Sequence, residues 1–243
     1  MSHDTPLDPP LVIAHRTTMG HAPENTLLGI RTALEMGCDG VEIDVRLCAD
    51  GVPVLIHDDD LSRTTDASGR VADASLASLA AVDAGQGESV PTLRDALALV
   101  NGRMLLIVEL KVTPGDDVVA LCDAVLKDLS EADAIPWTWL WSFDSETVIE
   151  LSGRAPHSRR IAHLCIEPTP EVWRIAAEHR LDGISMHGSG LNGDHVAACR
   201  AHDIAAFVWT VNEPSDIERC IALGVTGIVG DYPERIQAAL DDR

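Results

Sequence analysis

Short apolar runs rich in β-branched residues alternate with amphipathic helical segments along nearly the whole chain, and this alternation narrows the fold more than any other feature. Strands are expected at 11–15, 40–46, 104–110, 138–143, 160–165, 183–187, 204–211 and 227–231. Helical spacing of apolar residues fills the intervals near 24–36, 92–101, 116–129, 144–152, 170–180, 191–202, 214–223 and 233–241. Strict alternation of this kind predicts an α/β protein, a closed parallel (β/α)8 barrel of the TIM type, which ordinarily takes about 250 residues. The chain has 243 and no compositional break, so one domain over 1–243 is expected, with 1–10 as a flexible tail and 58–90 as a short insertion.

A ninth apolar run, Val52 to His57, interrupts the pattern. It follows the second strand after a few residues that include Asp50-Gly51, a hairpin turn signal. So short a link cannot make a parallel crossover. The run is therefore expected as an antiparallel excursion that carries His57 over the barrel mouth.

Strand side chains alternate, so residues two apart share a face. In GVEIDVR, Val41, Ile43 and Val45 form an apolar outer face while Glu42 and Asp44 point into the barrel. In LLIVELK, Glu109 and Lys111 point inward at the carboxyl end. Carboxylates in a barrel lumen are costly to bury unless they bind something. Three oxygen donors without a thiolate suit one hard divalent cation, Mg²⁺ or Ca²⁺; a salt-bridge network around Lys111 is the structural alternative. His15 ends the first strand and His57 the excursion, a pair suited to acid–base exchange near neutral pH. Arg16 offers a planar fork for a phosphate. Of the remaining histidines, His163 and His187 lie near strand ends and His21 lies in the first loop. Trp137, Trp139 and Trp141 share a strand face opposite Ser142 and are expected as core beneath the helices.

The chain carries 18 Lys and Arg against 39 Asp and Glu, a formal charge of −21. That excludes a basic nucleic-acid face and disfavours an anionic membrane surface. No run reaches the ~18 apolar residues of a membrane span. The polar N-terminus and six scattered cysteines imply a cytoplasmic protein in a reducing compartment. The expected partner is a small molecule; the oligomeric state is not set by the sequence, and a homo-oligomer is left open.

The segments AHRTTMGHAPENT (14–26), GVEIDVRLCADGVPVLIHDDDLSRTT (40–65), VPTLRDAL (90–97), VELK (108–111), WSFD (141–144), WTVN (209–212) and GIVGDYP (227–233) resemble, in order and spacing, the glycerophosphodiester phosphodiesterase family. The resemblance implies a barrel of the phosphatidylinositol-phospholipase-C type and metal-dependent hydrolysis of glycerophosphodiesters to glycerol phosphate and an alcohol. By position it implies metal ligation by Glu42, Asp44 and Glu109, acid–base catalysis by His15 and His57, and phosphate contact by Arg16 and Lys111. Glu24 and Asn25 match its E-N-T motif, which supports the metal and catalytic site. Trp209 matches an aromatic at a strand end, where it packs against the substrate or within the core. One departure stands out. Where the family usually has H-R-G, this chain has His15-Arg16-Thr17; threonine's bulk and hydroxyl would narrow or re-contact the site, which leaves substrate choice open more than the chemistry. On the same barrel the alternative is a lysophospholipase D or a sphingomyelinase-D-like enzyme, which the short polar 58–90 insertion disfavours. A non-catalytic phosphate-binding protein would have lost a histidine or a carboxylate, and none is missing.

Overall fold

The computed structural model describes residues 9–154 and 160–241; the expected tail over 1–10 lies mostly outside them. Eight parallel strands close into a barrel: β1 (Leu11–Ala14), β2 (Gly40–Leu47), β4 (Leu105–Leu110), β5 (Thr138–Ser142), β6 (Ile161–Cys165), β7 (Gly183–His187), β8 (Ala205–Trp209) and β9 (Gly227–Gly230). β1 completes the ring by pairing with both β2 and β9. β3 (Pro53–Leu55) lies outside the ring, antiparallel to the end of β2, with Val45 opposite Leu55 and Leu47 opposite Pro53. This is the excursion expected from Asp50-Gly51, where Gly51 adopts a left-handed φ of 71° that glycine tolerates without a steric penalty.

Helices α1 (Leu27–Glu35), α3 (Leu93–Val100), α4 (Val118–Glu131), α5 (Ser145–Arg154), α6 (Pro170–Glu178), α7 (Gly193–Ala201), α8 (Pro214–Leu223) and α9 (Pro233–Asp241) surround the barrel, and a one-turn helix, α2 (Leu76–Leu79), sits in the expected insertion. Many of them start at a side-chain cap. Thr26, Thr92, Asp117, Thr169 and Asn192 each accept a hydrogen bond from a backbone N–H of the first turn, which satisfies a donor the helix itself leaves free. Among the described residues no helix is long and apolar enough to cross a membrane.

Two layers of core follow from strand alternation. Val41, Ile43, Val45, Val108 and Leu110 face outward into the helix layer, as the sequence pattern requires. Ile13, Ile107, Trp139, Trp141, Ala162, Leu164, Phe207 and Val229 fill the lumen. Trp139 and Trp141 thus correct the expectation of core beneath the helices; only Trp137, which precedes the strand, packs there. The reason is register: Trp139 pairs with Ile107 and Trp141 with Glu109, both inward residues, while Ser142 turns outward and its hydroxyl donates to the Leu110 carbonyl. The Phe207 ring lies 4.8 Å from Trp139 and 5.0 Å from Trp141, centroid to centroid. Gly227 must lack a side chain because a Cβ there would come within 2.8 Å of the Phe207 ring. The insertion holds a small core of its own, including Val54, Ile56, Leu61, Val71 and Leu79.

Phe207→Ala is expected to cost about 3–5 kcal/mol, because the rings around it cannot collapse into the space. Denaturant unfolding measures this, and a loss below about 1 kcal/mol would contradict a packed lumen.

Candidate active site

The first strand ends at Ala14, and His15 opens a turn in which Arg16, Thr17 and Thr18 all have positive φ, 43°, 73° and 108°. Left-handed backbone costs a non-glycine residue about 1–2 kcal/mol, so surrounding contacts must hold the turn. They do. The Arg16 N–H donates to Glu42 Oε2 at 2.8 Å, and the Arg16 carbonyl accepts from the Asn25 N–H at 3.0 Å. The Thr17 side chain is fully buried and turns toward Gly29 of α1, so it does not narrow the mouth as its bulk suggested.

Parity brings Glu42, Asp44 and Glu109 together as the sequence predicts. One donor atom from each lies within 4.8 Å of the others, and all three residues are buried. Asn25 grips Asp44 from both sides: its amide donates to Asp44 Oδ2 at 2.8 Å and its carbonyl accepts from the Asp44 N–H at 2.9 Å. Lys111 donates to Glu109 Oε1 at 2.7 Å. Burial and then the charges of Asp44 and Glu109 push Glu42 well above the usual carboxylate range. Burial and Asp44 raise Glu109 to about 7, against the pull of Lys111. Glu42 Oε1 is buried with no hydrogen-bond partner. An orphaned carboxylate oxygen beside two others is what a hard cation would satisfy, so these residues fit a divalent metal.

Each histidine has a carboxylate on Nδ1. His15 Nδ1 lies 2.6 Å from Asp231 Oδ1, and Asn212 holds Asp231 by donating to Oδ2 at 2.6 Å. Burial would raise Asp231, but the contact with His15 and then Asn212 outweigh it, and its pKa is lowered. His57 Nδ1 lies 2.6 Å from Asp58, and Lys111 donates to His57 Nε2 at 3.1 Å. Burial lowers the pKa of His57 despite the nearby Asp44 and Asp58. Arg63 ties this corner to the first loop. It donates to both oxygens of Asp58, which it holds well below the usual carboxylate range, and to both oxygens of Glu24 at 2.8 Å. Glu24 in turn accepts from Arg16 at 3.3 Å, while the Arg16 Nε is buried without a hydrogen-bond partner.

Asp231, Asn212 and Arg63 are site residues that the sequence reading passed over. Their signals were the GIVGD and WTVN segments and the arginine of LSRTT, each quoted only as part of a motif. Asp58 was visible as the neighbour of His57. Trp209 is half-buried, with its Nε1 donating to the Ser185 carbonyl at 3.3 Å, and its ring stands edge-on to Phe143 at 5.2 Å and to His187 at 5.0 Å. His187 therefore joins the mouth. His163 does not: it is buried, with its ring nitrogens against the Leu164 carbonyl and Ser145. His21 pairs instead with Glu234. A cavity of about 400 Å³ opens beside Lys111, Glu109 and Phe143.

The sequence model of the Glycerophosphoryl diester phosphodiesterase family matches residues 15–235. A glycerophosphodiester phosphodiesterase of Caldanaerobacter subterraneus subsp. tengcongensis is 32% identical over 243 aligned positions, covering 93% of this chain and 96% of that protein. An Oleispira antarctica phosphodiesterase, solved in complex with the product sn-glycerol-3-phosphate, superposes with a TM-score of 0.90 at 31% identity, over 96% of this chain and 97% of its own. A glycerophosphodiester phosphodiesterase of Agrobacterium tumefaciens gives a TM-score of 0.81 at 27% identity, over 94% and 99% of the two chains. Barrel, site and relatives together define a phosphoric diester hydrolase. The chain belongs to the glycerophosphoryl diester phosphodiesterase family.

Raised pKa values at Glu42 and Glu109 mean that the metal-free folded protein holds protons the unfolded chain has released. Its stability falls as pH rises through about 7, the value for Glu109. His57, with its lowered pKa, acts in the opposite sense as pH falls through its own range. Chelated protein should therefore melt higher at about pH 6.5 than at about pH 8, with the gap shrinking in Glu109→Gln and on saturation with a divalent cation. A melting temperature that climbs with pH in all three samples would refute this account.

Proposed function

We propose that the chain hydrolyses glycerophosphodiesters to glycerol phosphate and an alcohol, with Glu42, Asp44 and Glu109 holding one Mg²⁺ or Ca²⁺ ion. The observation that carries this reading is the convergence of three buried carboxylates, one with an orphaned oxygen, between two histidines that each carry their own carboxylate partner. When bound, the cation would supply a positive charge against the non-bridging phosphate oxygens. Arg16, whose Nε lacks a hydrogen-bond partner, and Lys111 share the task of binding and neutralising the phosphate. Glu24 and Asn25 support the site by steadying Arg16 and Asp44.

His15 acts as the general base. Asp231 fixes the proton on Nδ1, leaves Nε2 to take one from the attacking oxygen, and stabilises the imidazolium that results. The attacking oxygen is that of water, which gives glycerol phosphate directly, or of the substrate's own glycerol 2-hydroxyl. The 2-hydroxyl expels the alcohol to leave a cyclic phosphate that water then opens to glycerol phosphate, His57 now taking the water's proton and His15 returning one to the 2-oxygen. His57 returns a proton to the leaving alcohol. A lowered pKa makes its protonated form a readier donor, and a phosphate that draws Lys111 away frees Nε2 to carry that proton. Trp209, with Phe143 beside it, offers an apolar wall to the carbon skeleton of the substrate, and the adjoining cavity has room for the alcohol. The proposed compartment is the cytoplasm, a reading supported by six cysteines that are all buried and unpaired.

Chelation followed by refilling with single metals should abolish and then restore release of glycerol phosphate, and Glu42→Gln should lose at least ~10²-fold in rate. Full turnover after chelation sinks the metal reading. His15→Ala and His57→Ala should each lose at least ~10²-fold on a natural diester. A diester with a p-nitrophenolate leaving group needs no acid, so it should largely rescue His57→Ala and leave His15→Ala impaired. Equal rescue of both would overturn the assignment.

A further inference from the structure

The one departure from the family motif, threonine at position 17, has a partner across an interface. A Cβ placed on Gly29 would lie 2.1 Å from Thr17 Oγ1 and 2.7 Å from Thr17 Cβ. The Thr17 side chain therefore occupies the volume that any other residue at position 29 would need. The family's usual glycine stands at the position of Thr17; here a glycine stands opposite, on the first full turn of α1. In this chain the threonine fills the interface and the glycine opposite leaves room for it.

Thr17 is not held by hydrogen bonding, because its Oγ1 is buried without a partner. What the residue supplies is shape. A β-branched side chain has few rotamers, so a seated Thr17 transmits the position of α1 directly to its own backbone. That backbone sits at φ 73°, a conformation threonine keeps only where its surroundings dictate it. The next residue reinforces the seat, since the Thr18 hydroxyl donates to the Gly29 carbonyl at 3.2 Å. The preceding residue is Arg16, whose main chain is pinned to Glu42 and Asn25 and whose guanidinium faces Glu24 and Asp44.

We propose that Thr17 is a positioning residue: seated against Gly29, it sets the direction in which Arg16 reaches the phosphate of the substrate. The proposal rests on the phosphate-binding role of Arg16 given above. It accounts for how a chain without the usual glycine keeps the strained turn, and it makes positions 17 and 29 a coupled pair.

Calorimetric titration with sn-glycerol 3-phosphate tests this without relying on turnover, with KM and kcat measured on a glycerophosphodiester alongside. Thr17→Val keeps the shape and removes an unpartnered hydroxyl, so it should bind as tightly as the unmodified protein and melt no lower. Thr17→Gly empties the seat and should weaken binding and raise KM by about tenfold, with kcat nearly unchanged. Adding Gly29→Ala to Thr17→Gly refills the seat from the other side, with the new Cβ about 3.0 Å from the carbonyl oxygen of residue 17, which must give by a few tenths of an ångström, and should recover most of that loss. A residue with a merely structural role would lower the melting temperature and leave affinity and KM alone. The proposal fails if Thr17→Gly binds normally, if Thr17→Val is as impaired as Thr17→Gly, or if the double variant is additive. If Arg16→Ala binds glycerol phosphate normally, the role of Arg16 itself has failed, which separates the two readings.

Discussion

Mutual repulsion among Glu42, Asp44 and Glu109 is the constraint around which the rest of the mouth is arranged. Burial and the neighbouring charges push Glu42 and Glu109 toward protonation, and each of the three carboxylates is held by a different device. A backbone N–H from the Arg16 turn serves Glu42, the Asn25 amide clamps Asp44, and Lys111 serves Glu109. Two of the three devices come from the loop between β1 and α1. Its left-handed residues, Asn25 among them at φ 56°, are the conformational cost of bringing those donors to the second strand.

The lumen divides into two walls. Strands β1, β2, β4 and β9 contribute His15, Glu42, Asp44, Glu109, Lys111 and, just past the last strand, Asp231. Strands β5, β6 and β8 contribute Trp139, Trp141, Leu164 and Phe207, and Ile13, Ile107 and Val229 of the charged strands join them one inward position below the polar groups. The division is energetically sensible. Buried aromatic surface supplies packing on one side, so the other side can afford charged groups that stabilise nothing until a ligand arrives.

Most of this was legible in the residues because the side-chain period of a strand is two. That rule alone directed Glu42, Asp44, Glu109 and Lys111 inward, and a five-residue link with a glycine turn was enough to lift His57 out of the barrel wall. The same rule misplaced Trp139 and Trp141 because it gives relative facing only, and their strand was anchored on Ser142 instead of on its register with Glu109. Asp231 and Arg63 were missed for another reason. Asp231 lies 216 positions from His15 and Arg63 lies 39 from Glu24, and no local pattern marks such pairs. The insertion reads as polar because its apolar residues are thinly spread; they gather into a core only once β3 and the turns around it fold together.

The aromatic plug beneath the carboxylates has a consequence for traffic. With Trp139, Trp141 and Phe207 packed across the lumen, the barrel is a blind vessel, and nothing reaches the reacting atoms from below. Among the described residues, substrate, water and both products are left with the mouth at the carboxyl ends of the strands. A product that lingers in that opening therefore stands in the path of the next arrival.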